Sequence, residues 1–372
     1  MRIIQLLEFN QFNTGSVHQM FQAASGLRER GHEVTIVSRP GSVLAQRAAE
    51  ADVDFVGLLM RNEFDLPSAW RLARLFARLR PDVVHVHKGV AHSLAMMASL
   101  RHPVGAFVVN RGVSFPLDVW NRPKFRTRRV DRVVTVCEQI RGVVIVSGKL
   151  PPTKVEVVYA GTDVHRFDPA SWNPRLFRRE KGIADDRFLI VQVGVRDWKG
   201  WKELIDAVAL LLPEIPSIHL AFVGCRHERE FGEVRAYAQE RGIAHAVTPV
   251  ETRDDMPAVF ASADLVVDAS WAGTGITGTI REAMSMARPV IATDCGGNGE
   301  LVSSADVGWL IAAKEVAALV AAIRGVIQNP DGRRRIGESA RAHVIQGFSK
   351  DLRIARLETL YAAIRSERQR SG

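Results

Sequence analysis

The sequence predicts an α/β fold in which two doubly wound parallel sheets follow one another along the chain. Short runs of β-branched residues alternate with helical patterns throughout, and these runs are apolar on both faces. Strands of this kind, separated by helices, are typical of parallel sheets with βαβ crossovers. The chain has 372 residues, more than one ordinary core requires and enough for two domains.

The strands are predicted from ten apolar runs. The first half contains "RIIQLLEF", "EVTIVS", "DVVHVH", "AFVVN", "RVVTVC" and "VEVVY", and the second contains "FLIVQVG", "IHLAFVG", "LVVDAS" and "PVIATD". Between the two groups lies "YAGTDVHRFDPASWNP", which is rich in Gly, Asp and Pro and therefore typical of a linker. We predict a first domain over residues 1–163 and a second over residues 164–348.

The first and last helices can be predicted in more detail. The first should begin directly after "NTG", with Ser16 and Gln19 spaced as a capping box and Gly31 at the C′ position. The last should cover residues 349–372 and dock on one of the domains through an apolar face made of Leu352, Ala355, Leu357, Leu360, Tyr361 and Ile364.

Composition excludes several classes of protein. Hydrophobic residues make up 47% of the chain and charged residues 24%, as in globular enzymes. The sequence shows no apolar run long enough to span a membrane and no leader-like start, so we expect a cytoplasmic protein. Cys137, Cys225 and Cys295 lack the spacing of a zinc site or a disulfide framework, and we expect buried thiols.

Positive charge is concentrated in the first half of the chain. Residues 1–163 hold 22 Lys and Arg against 14 Asp and Glu, whereas residues 164–372 hold 28 against 27. Such an asymmetry favours an anionic partner for the first half, either a phosphate-bearing substrate, a nucleic acid or an acidic membrane surface. No sequence element that reads nucleic acid accompanies the charge, so we expect no nucleic-acid partner.

Open parallel sheets bind ligands outside the carboxyl ends of their strands, so the residues that follow each strand are the candidates for chemistry. In the first half these are Gly15 at the start of the first helix, His87 after "DVVHV", and Arg111 after "AFVVN". A glycine at a helix N-terminus admits a phosphate, and an arginine can bind a phosphate or a sugar carboxylate. Turn chemistry, a structural histidine and a surface arginine are the alternatives.

The second half has two glycine turns and two cations at strand ends. Arg196 and Lys199 follow "FLIVQVG" and could neutralise a departing diphosphate, although a solvated basic turn is the alternative. The loop "WAGTGITG" precedes a helix that starts near Thr277, so backbone amides can point at a ligand there. Glu282, early in that helix, could accept hydrogen bonds from ribose hydroxyls. The turn "CGGNGE" should converge on the same crevice.

Several segments together resemble the family 4 glycosyltransferases, which are retaining enzymes of GT-B architecture. "EAMSMARPVIATDCGGNGE" is similar to the family signature, "VVYAGTDVHRF" to its interdomain segment, "GVRDWKGWKELIDA" to its phosphate turn, and "GLRERGHEVTIVS" to a pattern of its first domain. The resemblance runs through almost the whole chain. It implies two Rossmann-like domains that face a central cleft, with the last helix crossing back to the first domain.

The resemblance also implies roles for single residues. The second domain would hold a nucleotide-sugar donor and the first an acceptor, with the configuration of the sugar retained. Transfer would involve Arg196, Lys199, Arg111 and His87, and the donor would contact Gly15, Ser16, Thr274, Gly275, Ile276, Thr277 and Glu282. No protein nucleophile would be required, because the leaving phosphate oxygen accepts the proton of the acceptor on the same face. No metal and no cofactor is expected either. A D-x-D sequence at Asp52 and Asp54 opens a predicted strand and is not expected to bind metal.

Three positions depart from the family pattern. Thr274 stands where the family has an acidic residue, Arg111 where it has a histidine, and Val195 where it has an arginine, so that the cation falls at Arg196 instead. We interpret these as changes of specificity. The nucleotide base, the sugar, the linkage and the oligomeric state are not predicted.

We predict a glycosyltransferase for a cell-envelope glycan, such as a lipopolysaccharide or polysaccharide, or for a lipid-linked saccharide. A nucleotide-sugar 2-epimerase and a non-catalytic nucleotide-sugar-binding protein are the alternatives. Peripheral binding to anionic lipid on the inner face of the cell membrane is a further hypothesis. It rests on residues 121–132, which hold six cations and Phe125, and on an amphipathic helix at 71–80. A solvated basic loop explains the first segment equally well, and an ordinary sheet-packing helix explains the second.

Overall fold

The computed structural model describes residues 1–9, 15–41, 43–273 and 275–371. These residues form two compact units, which divide the chain at two places. Unit 1 consists of Met1–Gly161 together with Lys350–Gly372, and unit 2 consists of Thr162–Ser349. The C-terminal segment therefore belongs to the same unit as the N-terminal half of the chain.

Within the described residues, unit 1 contains a seven-stranded parallel sheet with the order β3-β2-β1-β4-β5-β6-β7. Its strands are β1 (Arg2–Leu6), β2 (Glu33–Ser38), β3 (Asp54–Gly57), β4 (Val83–Val86), β5 (Ala106–Arg111), β6 (Arg132–Thr135) and β7 (Val155–Val157). The helices of this part are α1 (Gly15–Glu29), α2 (Val43–Glu50), α3 (Leu66–Leu79), α4 (Gly89–Arg101), α5 (Arg122–Arg126) and α6 (Glu138–Gly148).

Unit 2 repeats this topology with a six-stranded parallel sheet over its described residues, in the order β10-β9-β8-β11-β12-β13. Its strands are β8 (Phe188–Val193), β9 (Ile218–Cys225), β10 (Val247–Glu251), β11 (Leu265–Asp268), β12 (Val290–Thr293) and β13 (Trp309–Ile311). Its helices are α7 (Leu176–Lys181), α8 (Trp201–Leu211), α9 (Glu228–Glu240), α10 (Met256–Ser262), α11 (Gly278–Ser285), α12 (Asn298–Leu301), α13 (Val316–Gln328) and α14 (Pro330–Gly347).

The predicted fold class, two doubly wound α/β domains, is confirmed. In each sheet the strand order reverses beside the first strand of the unit, β1 or β8, which is where such sheets bind ligands. The ten apolar runs did not include β3, which was predicted only as the strand opened by the D-x-D segment, and no sequence pattern indicated β10 or β13. Both are outer strands that are only partly buried, and β10 contains Pro249, so neither carries the continuous apolar signal of a central strand.

The predicted C-terminus of helix α1 is confirmed, but the predicted capping of its N-terminus is not observed. Its C-terminus closes as a Schellman motif, because the amide of His32 donates to Leu27 O (3.1 Å) and that of Gly31 donates to Arg28 O (2.9 Å). The capping-box prediction is wrong, since the helix already begins at Gly15 and the side chain of Gln19 is used elsewhere. Its amide group donates to Gly161 O and accepts from Gly161 N, both at 3.0 Å.

The amphipathic helix predicted at 71–80 is the C-terminal part of α3 together with its C-cap, Arg80, and its apolar side chains are used inside unit 1. Leu72, Leu75 and Phe76 are buried, and Leu79 is partly buried. The sheet-packing interpretation is therefore the one observed. The Asp65 carboxylate caps the N-terminus of α3 by accepting from the amide of Ser68 (3.1 Å).

The C-terminal helix, α15 (Lys350–Ser371), packs in unit 1. The predicted face is rotated slightly, because Ile354 is buried whereas Leu352 and Ala355 are only partly so. Leu357, Leu360, Tyr361 and Ile364 are buried as predicted. The Tyr361 hydroxyl lies 2.6 Å from His85 Nδ1 and 3.4 Å from Gln5 Nε2, so a buried polar network joins the helix to β4 and β1.

In unit 2, the turn before α8 lies close to the end of β11. Gly200 has φ +65°, and a Cβ at this position would overlap the carbonyl oxygen of Ala269. Glycine therefore permits both the left-handed backbone and the contact between the two chain segments.

We expect Gly200→Ala to lower the free energy of unfolding by about 2 kcal/mol or more, because it adds left-handed strain and backbone overlap. Gly232→Ala is the matched control. It lies inside α9 with nothing within 4 Å of the added methyl group. This control should raise the free energy of unfolding by about 0.5–1 kcal/mol. Urea unfolding of both variants measures the difference, and equal effects would contradict the argument.

We expect Tyr361→Phe to lower the free energy of unfolding by about 1–3 kcal/mol, since it leaves buried polar groups of His85 and Gln5 without the hydroxyl. Tyr237→Phe is the comparison, because its hydroxyl bonds Asp206 at a partly exposed position where water can replace it. Thermal unfolding of the two variants should show the larger loss for Tyr361. A loss no larger than that of Tyr237→Phe would show that the network contributes little.

Candidate functional site

Three turns meet at the carboxyl edge of the unit 2 sheet. They follow β8, β11 and β12, and the described parts of them, residues 194–200, 269–273, 275–277 and 294–298, are called the turn cluster below. The amide of Trp271 donates to Trp198 O (3.0 Å), and the amide of Thr277 donates to the Asn298 side chain (3.0 Å). The predicted convergence of the glycine turns after β11 and β12 is therefore observed within unit 2.

A buried carboxylate organises this cluster. Asp268, the last residue of β11, accepts hydrogen bonds from the hydroxyls of Ser270 and Thr277, the latter at 2.6 Å, and lies 3.4 Å from Lys199 Nζ. Burial acts to raise the pKa of Asp268, but the charge of Lys199 and the two hydroxyl hydrogen bonds keep it below its usual value. The sequence analysis missed Asp268, although an Asp at the end of the apolar run "LVVD" was a usable signal.

Lys199 is positioned by its backbone as well as by Asp268. Gln192 Nε2 donates to Lys199 O (3.0 Å), and the same side chain accepts from the amide of Ala269 (3.4 Å). The ammonium group lies 4.9 Å from the centroid of the Trp198 ring. Lys199 is thus a largely buried cation held at the strand end, and the solvated turn that was its alternative does not describe it.

Arg196 has a different environment. It is exposed, whereas its neighbour Val195 is buried in the hydrophobic core of unit 2. The apolar residue that stands where the family pattern has an arginine is thus a core residue, and the arginine one place later faces solvent. The two predicted cations of this turn are therefore not equivalent, and Lys199 is the one that the fold positions.

The glycine turns come into backbone contact. Gly296 has φ +61°, and a Cβ there would lie 2.6 Å from the carbonyl oxygen of Gly275, so only glycine fits. Gly275 and Ile276 are partly buried in this cluster. Thr274 lies outside the described residues.

The N-terminus of α11 points at the turn cluster with its amides uncapped by a side chain. Thr277 is the N-cap residue, but its hydroxyl donates to Asp268 and its amide to Asn298, so it makes no side-chain cap. The first-turn amides of Gly278 and Thr279 have no intrahelical acceptor by the geometry of a helix. These amides, together with the partial positive charge of the helix end, suit an anionic group.

Glu282 occupies the second turn of α11 and is partly buried. Burial raises the pKa of Glu282 to about 7, against the opposing charges of Arg281 and Arg166. A carboxyl group with a pKa near neutrality changes charge easily when a ligand donates hydrogen bonds to it. A strongly perturbed acid at such a position favours a functional role.

The other candidates lie in unit 1. Gly15 is the exposed first residue of α1, with no atom of the described residues within 4 Å of an added Cβ, and Ser16 is partly buried beside it. The described residues therefore leave room for a ligand beside Gly15. Residues 10–14, which precede it, are outside the described ranges.

His87 is buried at the end of β4. Its Nε2 lies 2.6 Å from Gln5 Oε1, and its ring stacks on that of His85 with 4.4 Å between centroids. Burial, with a smaller effect of Arg353, lowers the pKa of His87 to about 3, so the ring is neutral at physiological pH. This environment fits the structural alternative named for His87, and its proposed contact with substrate stays a prediction.

Arg111 ends β5 and is partly buried. Its Nη2 donates to Phe115 O (2.8 Å), while its Nε and the neighbouring Asn110 Oδ1 are buried without a hydrogen-bond partner among the described residues. Burial lowers the pKa of Arg111, and Asp118 opposes this effect. Arg111 therefore holds the loop after β5 and still presents unused hydrogen-bonding capacity.

The remaining predictions concern metals, thiols and membrane spans. Within the described residues, no group of three or more His, Cys, Asp or Glu side chains is arranged to hold a metal ion. Asp52 pairs with Arg28 at 2.6 Å. Cys137 and Cys225 are buried as predicted, whereas Cys295 is only partly buried. Among the helices of the described residues, none is long and apolar enough to cross a bilayer.

Comparison with known proteins gives matches over both halves of the chain. Residues 14–166 match the family described as Glycosyltransferase Family 4, and residues 174–343 match Glycosyl transferases group 1. The chain is 26% identical to the GDP-mannose-dependent alpha-(1-6)-phosphatidylinositol monomannoside mannosyltransferase of Mycolicibacterium smegmatis, over 98% of this chain and 100% of that protein.

A second relative and a solved structure extend the comparison. The UDP-Gal:alpha-D-GlcNAc-diphosphoundecaprenol alpha-1,3-galactosyltransferase of Escherichia coli is 23% identical over 82% of each chain. The crystal structure of HepE from Anabaena, in complex with UDP, has a TM-score of 0.85 at 19% identity and covers 98% of this chain and 100% of that chain. This likeness concerns the fold. The two family matches, which together cover most of the chain, show that it belongs to glycosyltransferase family 4.

Proposed function

We propose that the protein transfers a sugar from a nucleotide-sugar donor to a lipid-linked saccharide or another cell-envelope glycan, with retention of configuration. The observation that carries the proposal is the carboxyl edge of the unit 2 sheet. This edge combines Lys199 of the turn cluster with the uncapped amides of α11 and with Glu282 of the same helix. The names of two relatives contain GDP-mannose and UDP-Gal, and HepE was crystallised with UDP. These findings support a nucleotide-sugar donor.

In this proposal the donor diphosphate binds at the N-terminus of α11. The amides of Gly278 and Thr279 donate to its oxygens, and Lys199 neutralises the charge that grows as the bond to the sugar breaks. Asp268 holds the lysine in place before the donor arrives. Each charge-assisted contact made in the transition state is worth about 1.5–3 kcal/mol, or one to two powers of ten in rate.

Glu282 binds the ribose of the donor. An ionised carboxylate accepts hydrogen bonds from two neighbouring hydroxyls, and these bonds stabilise its charged form. Arg196, because it is exposed, contributes a more flexible contact to the diphosphate or to the sugar. Gly275 and Ile276 border the sugar, so the loop that contains Thr274 selects which sugar is accepted.

Retention requires no protein nucleophile in this proposal. The leaving phosphate oxygen accepts the proton of the acceptor hydroxyl while that hydroxyl attacks the same face of the sugar. No metal ion takes part. The protein contributes donor positioning and electrostatic stabilisation of the departing diphosphate.

The acceptor belongs to unit 1 in this proposal. The two named relatives act on phosphatidylinositol monomannoside and on a diphosphoundecaprenol-linked sugar, both of which are lipid-linked. The excess of cations in residues 1–163 suits the phosphate of such an acceptor, and Arg111 is a candidate contact because it retains an unused donor. Peripheral association with an anionic membrane surface brings the protein to a lipid-linked acceptor.

The proposal is tested by calorimetric titration with UDP-, GDP- and ADP-sugars, followed by transfer assays with lipid-linked acceptors. Binding of one donor that is lost in Glu282→Ala supports the assignment of the site. The anomeric coupling constant of the product, measured by NMR, and activity in excess chelator test retention and metal independence. Conversion of the donor to an epimer without acceptor, or no binding of any donor, would reject the proposal.

We expect donor affinity to fall about tenfold from about pH 8 to about pH 6, because the Glu282 carboxyl, whose pKa is raised to about 7, must lose its proton to bind ribose. Glu282→Gln should bind weakly with a flat pH profile. Glu338→Gln, an exposed glutamate of α14, should leave the profile unchanged. An intact nucleotide-sugar is used because its diphosphate does not titrate in this range. A flat wild-type profile would contradict the assigned role.

We expect Lys199→Met to weaken donor binding by about 10- to 100-fold, since it removes a cation while keeping the aliphatic stem. Lys202→Met is the matched control, because Lys202 lies three residues away with its ammonium over the rings of Trp201 and Tyr237. Calorimetry on both variants, with circular dichroism to verify folding, measures the difference. Equal losses would show that Lys199 acts through general surface charge alone.

A further inference from the structure

Unit 1 exposes large apolar side chains on two neighbouring loops. Phe115, Val119 and Trp120, in the connection from β5 to β6, are 66%, 62% and 89% exposed, and Phe64, in the connection from β3 to α3, is 84% exposed. We call these four residues the aromatic rim. Single exposed apolar residues are ordinary, but several on adjoining loops indicate an interaction surface.

A salt bridge brings the two loops together. Lys124 Nζ, in α5, lies 3.1 Å from both carboxylate oxygens of Glu63, the residue before Phe64, and Glu63 also accepts from Ser93 Oγ (2.8 Å). Both loops follow strand ends, β3 and β5, so the rim lies at the carboxyl edge of the unit 1 sheet. This is the edge at which the proposed acceptor would bind.

The rim is held in place by buried neighbours. Leu117 is buried and its amide donates to Ser147 Oγ (2.9 Å), and Phe125, which follows Trp120 along the chain, is also buried. Between these anchors, the Asp118 carboxylate accepts from the amides of Trp120 (3.0 Å) and Asn121 (2.8 Å). The fold therefore fixes an exposed tryptophan. Phe125, which the sequence analysis grouped with the cations of a membrane-binding loop, is instead the anchor.

The loop that carries most of the rim is rich in cations. Residues 111–129 contain six Arg and Lys and a single acid, Asp118, and the nearby Glu63 is already neutralised by Lys124. A shallow depression of about 500 Å³ beside Trp120 is lined by Val119, Arg122, Pro123, Arg126 and Thr127. Arg122 Nε is buried without a hydrogen-bond partner among the described residues. A guanidinium with an unused donor beside an apolar wall suits a phosphate attached to a lipid.

We propose that the aromatic rim docks unit 1 on an anionic lipid bilayer. Trp120, Phe64, Phe115 and Val119 enter the interfacial layer, while Arg122, Arg126 and Arg128 bind lipid phosphates. Aromatic rings favour this layer, and each nearby cation adds attraction to anionic headgroups. The charge of the loop distinguishes a bilayer from an uncharged protein partner. This inference rests on the proposed function, because it places the membrane at the edge that would receive a lipid-linked acceptor.

The test measures binding of the full chain to vesicles by flotation, using phosphatidylcholine alone or with about one-third phosphatidylglycerol. We expect binding only to the anionic vesicles, with a decrease in high salt. Trp120→Ser combined with Phe64→Ser should weaken binding about tenfold or more, and so should Arg126→Glu combined with Arg128→Glu. In addition, vesicles with brominated acyl chains should quench wild-type fluorescence more than that of Trp120→Phe.

Two matched controls lie in unit 2. Leu210→Ser removes an apolar side chain of α8 that is 62% exposed, and Arg334→Glu with Arg335→Glu makes the same change of charge in α14. Both should bind vesicles like the wild type. Equal losses in the controls and the rim variants would overturn the inference, because the effect would then come from total charge or hydrophobicity. Wild-type self-association that Trp120→Ser abolishes would also overturn it, since the occupant would be a second copy.

Donor titration of the same samples separates this inference from the proposed function. Rim variants should bind the nucleotide-sugar with wild-type affinity, because the turn cluster lies in unit 2. If the wild type binds donor but no anionic vesicle, the docking surface is rejected and the proposed function stands. If it binds vesicles but no nucleotide-sugar, the proposed function is rejected, while the conclusion that the rim binds anionic lipid stands.

Discussion

The candidate donor site depends on one buried carboxylate. Asp268 ends the central strand β11 and carries a charge that would be costly to bury alone. Lys199 from the turn after β8 and the hydroxyls of Ser270 and Thr277 offset that cost, so satisfying the charge also draws two turns together. Asn298 then joins the turn after β12 by accepting from the Thr277 amide. Because the same groups neutralise Asp268 and connect the turns, the turn cluster is held together without a ligand.

At Glu282 the proposed function and stability oppose each other, whereas at Asp268 the same contacts serve both. Its pKa in the folded protein, about 7, lies above the usual 4.5, so the folded state binds a proton more tightly than the unfolded chain. Its contribution to stability is therefore present at low pH and is lost as the pH rises from about 4.5 through about 7. Above this range Glu282 is ionised at a site that disfavours its charge, so an uncharged residue there would give the protein a higher free energy of unfolding. Hydrogen bonds from a bound ribose would compensate for that loss, which is how ligand binding stabilises strained sites.

The sequence predicted the features that depend on local pattern. Central strands such as β8 and β11, the Schellman end of α1 at Gly31 and the two glycine turns carry their signal within a few residues. What it missed depends on distant partners. Asp268 acquires its role from Lys199, sixty-nine positions away, and Gln19 bonds Gly161 instead of its own helix end. The edge strands β10 and β13 are only partly buried, so their pairing depends on neighbours more than on their own residues. Phe125 was predicted to lie at the surface because its sequence neighbours are Arg and Lys, and nothing in that local pattern indicates that its ring is buried.

The two units use the same strand order to present chemically different edges. In unit 2 the carboxyl edge combines a buried charge, an uncapped helix terminus and an acid of raised pKa, which suits a small, charged ligand that is enclosed by backbone. In unit 1 the corresponding edge is apolar and cationic, because Trp120 and Phe64 are exposed and Arg122 and Arg126 line a shallow depression. A shared topology fixes where ligands bind, and the loops decide what they are. The contrast between a polar, buried edge and an amphipathic, exposed one supports the proposal that the protein joins a water-soluble donor to an acceptor held at a lipid surface.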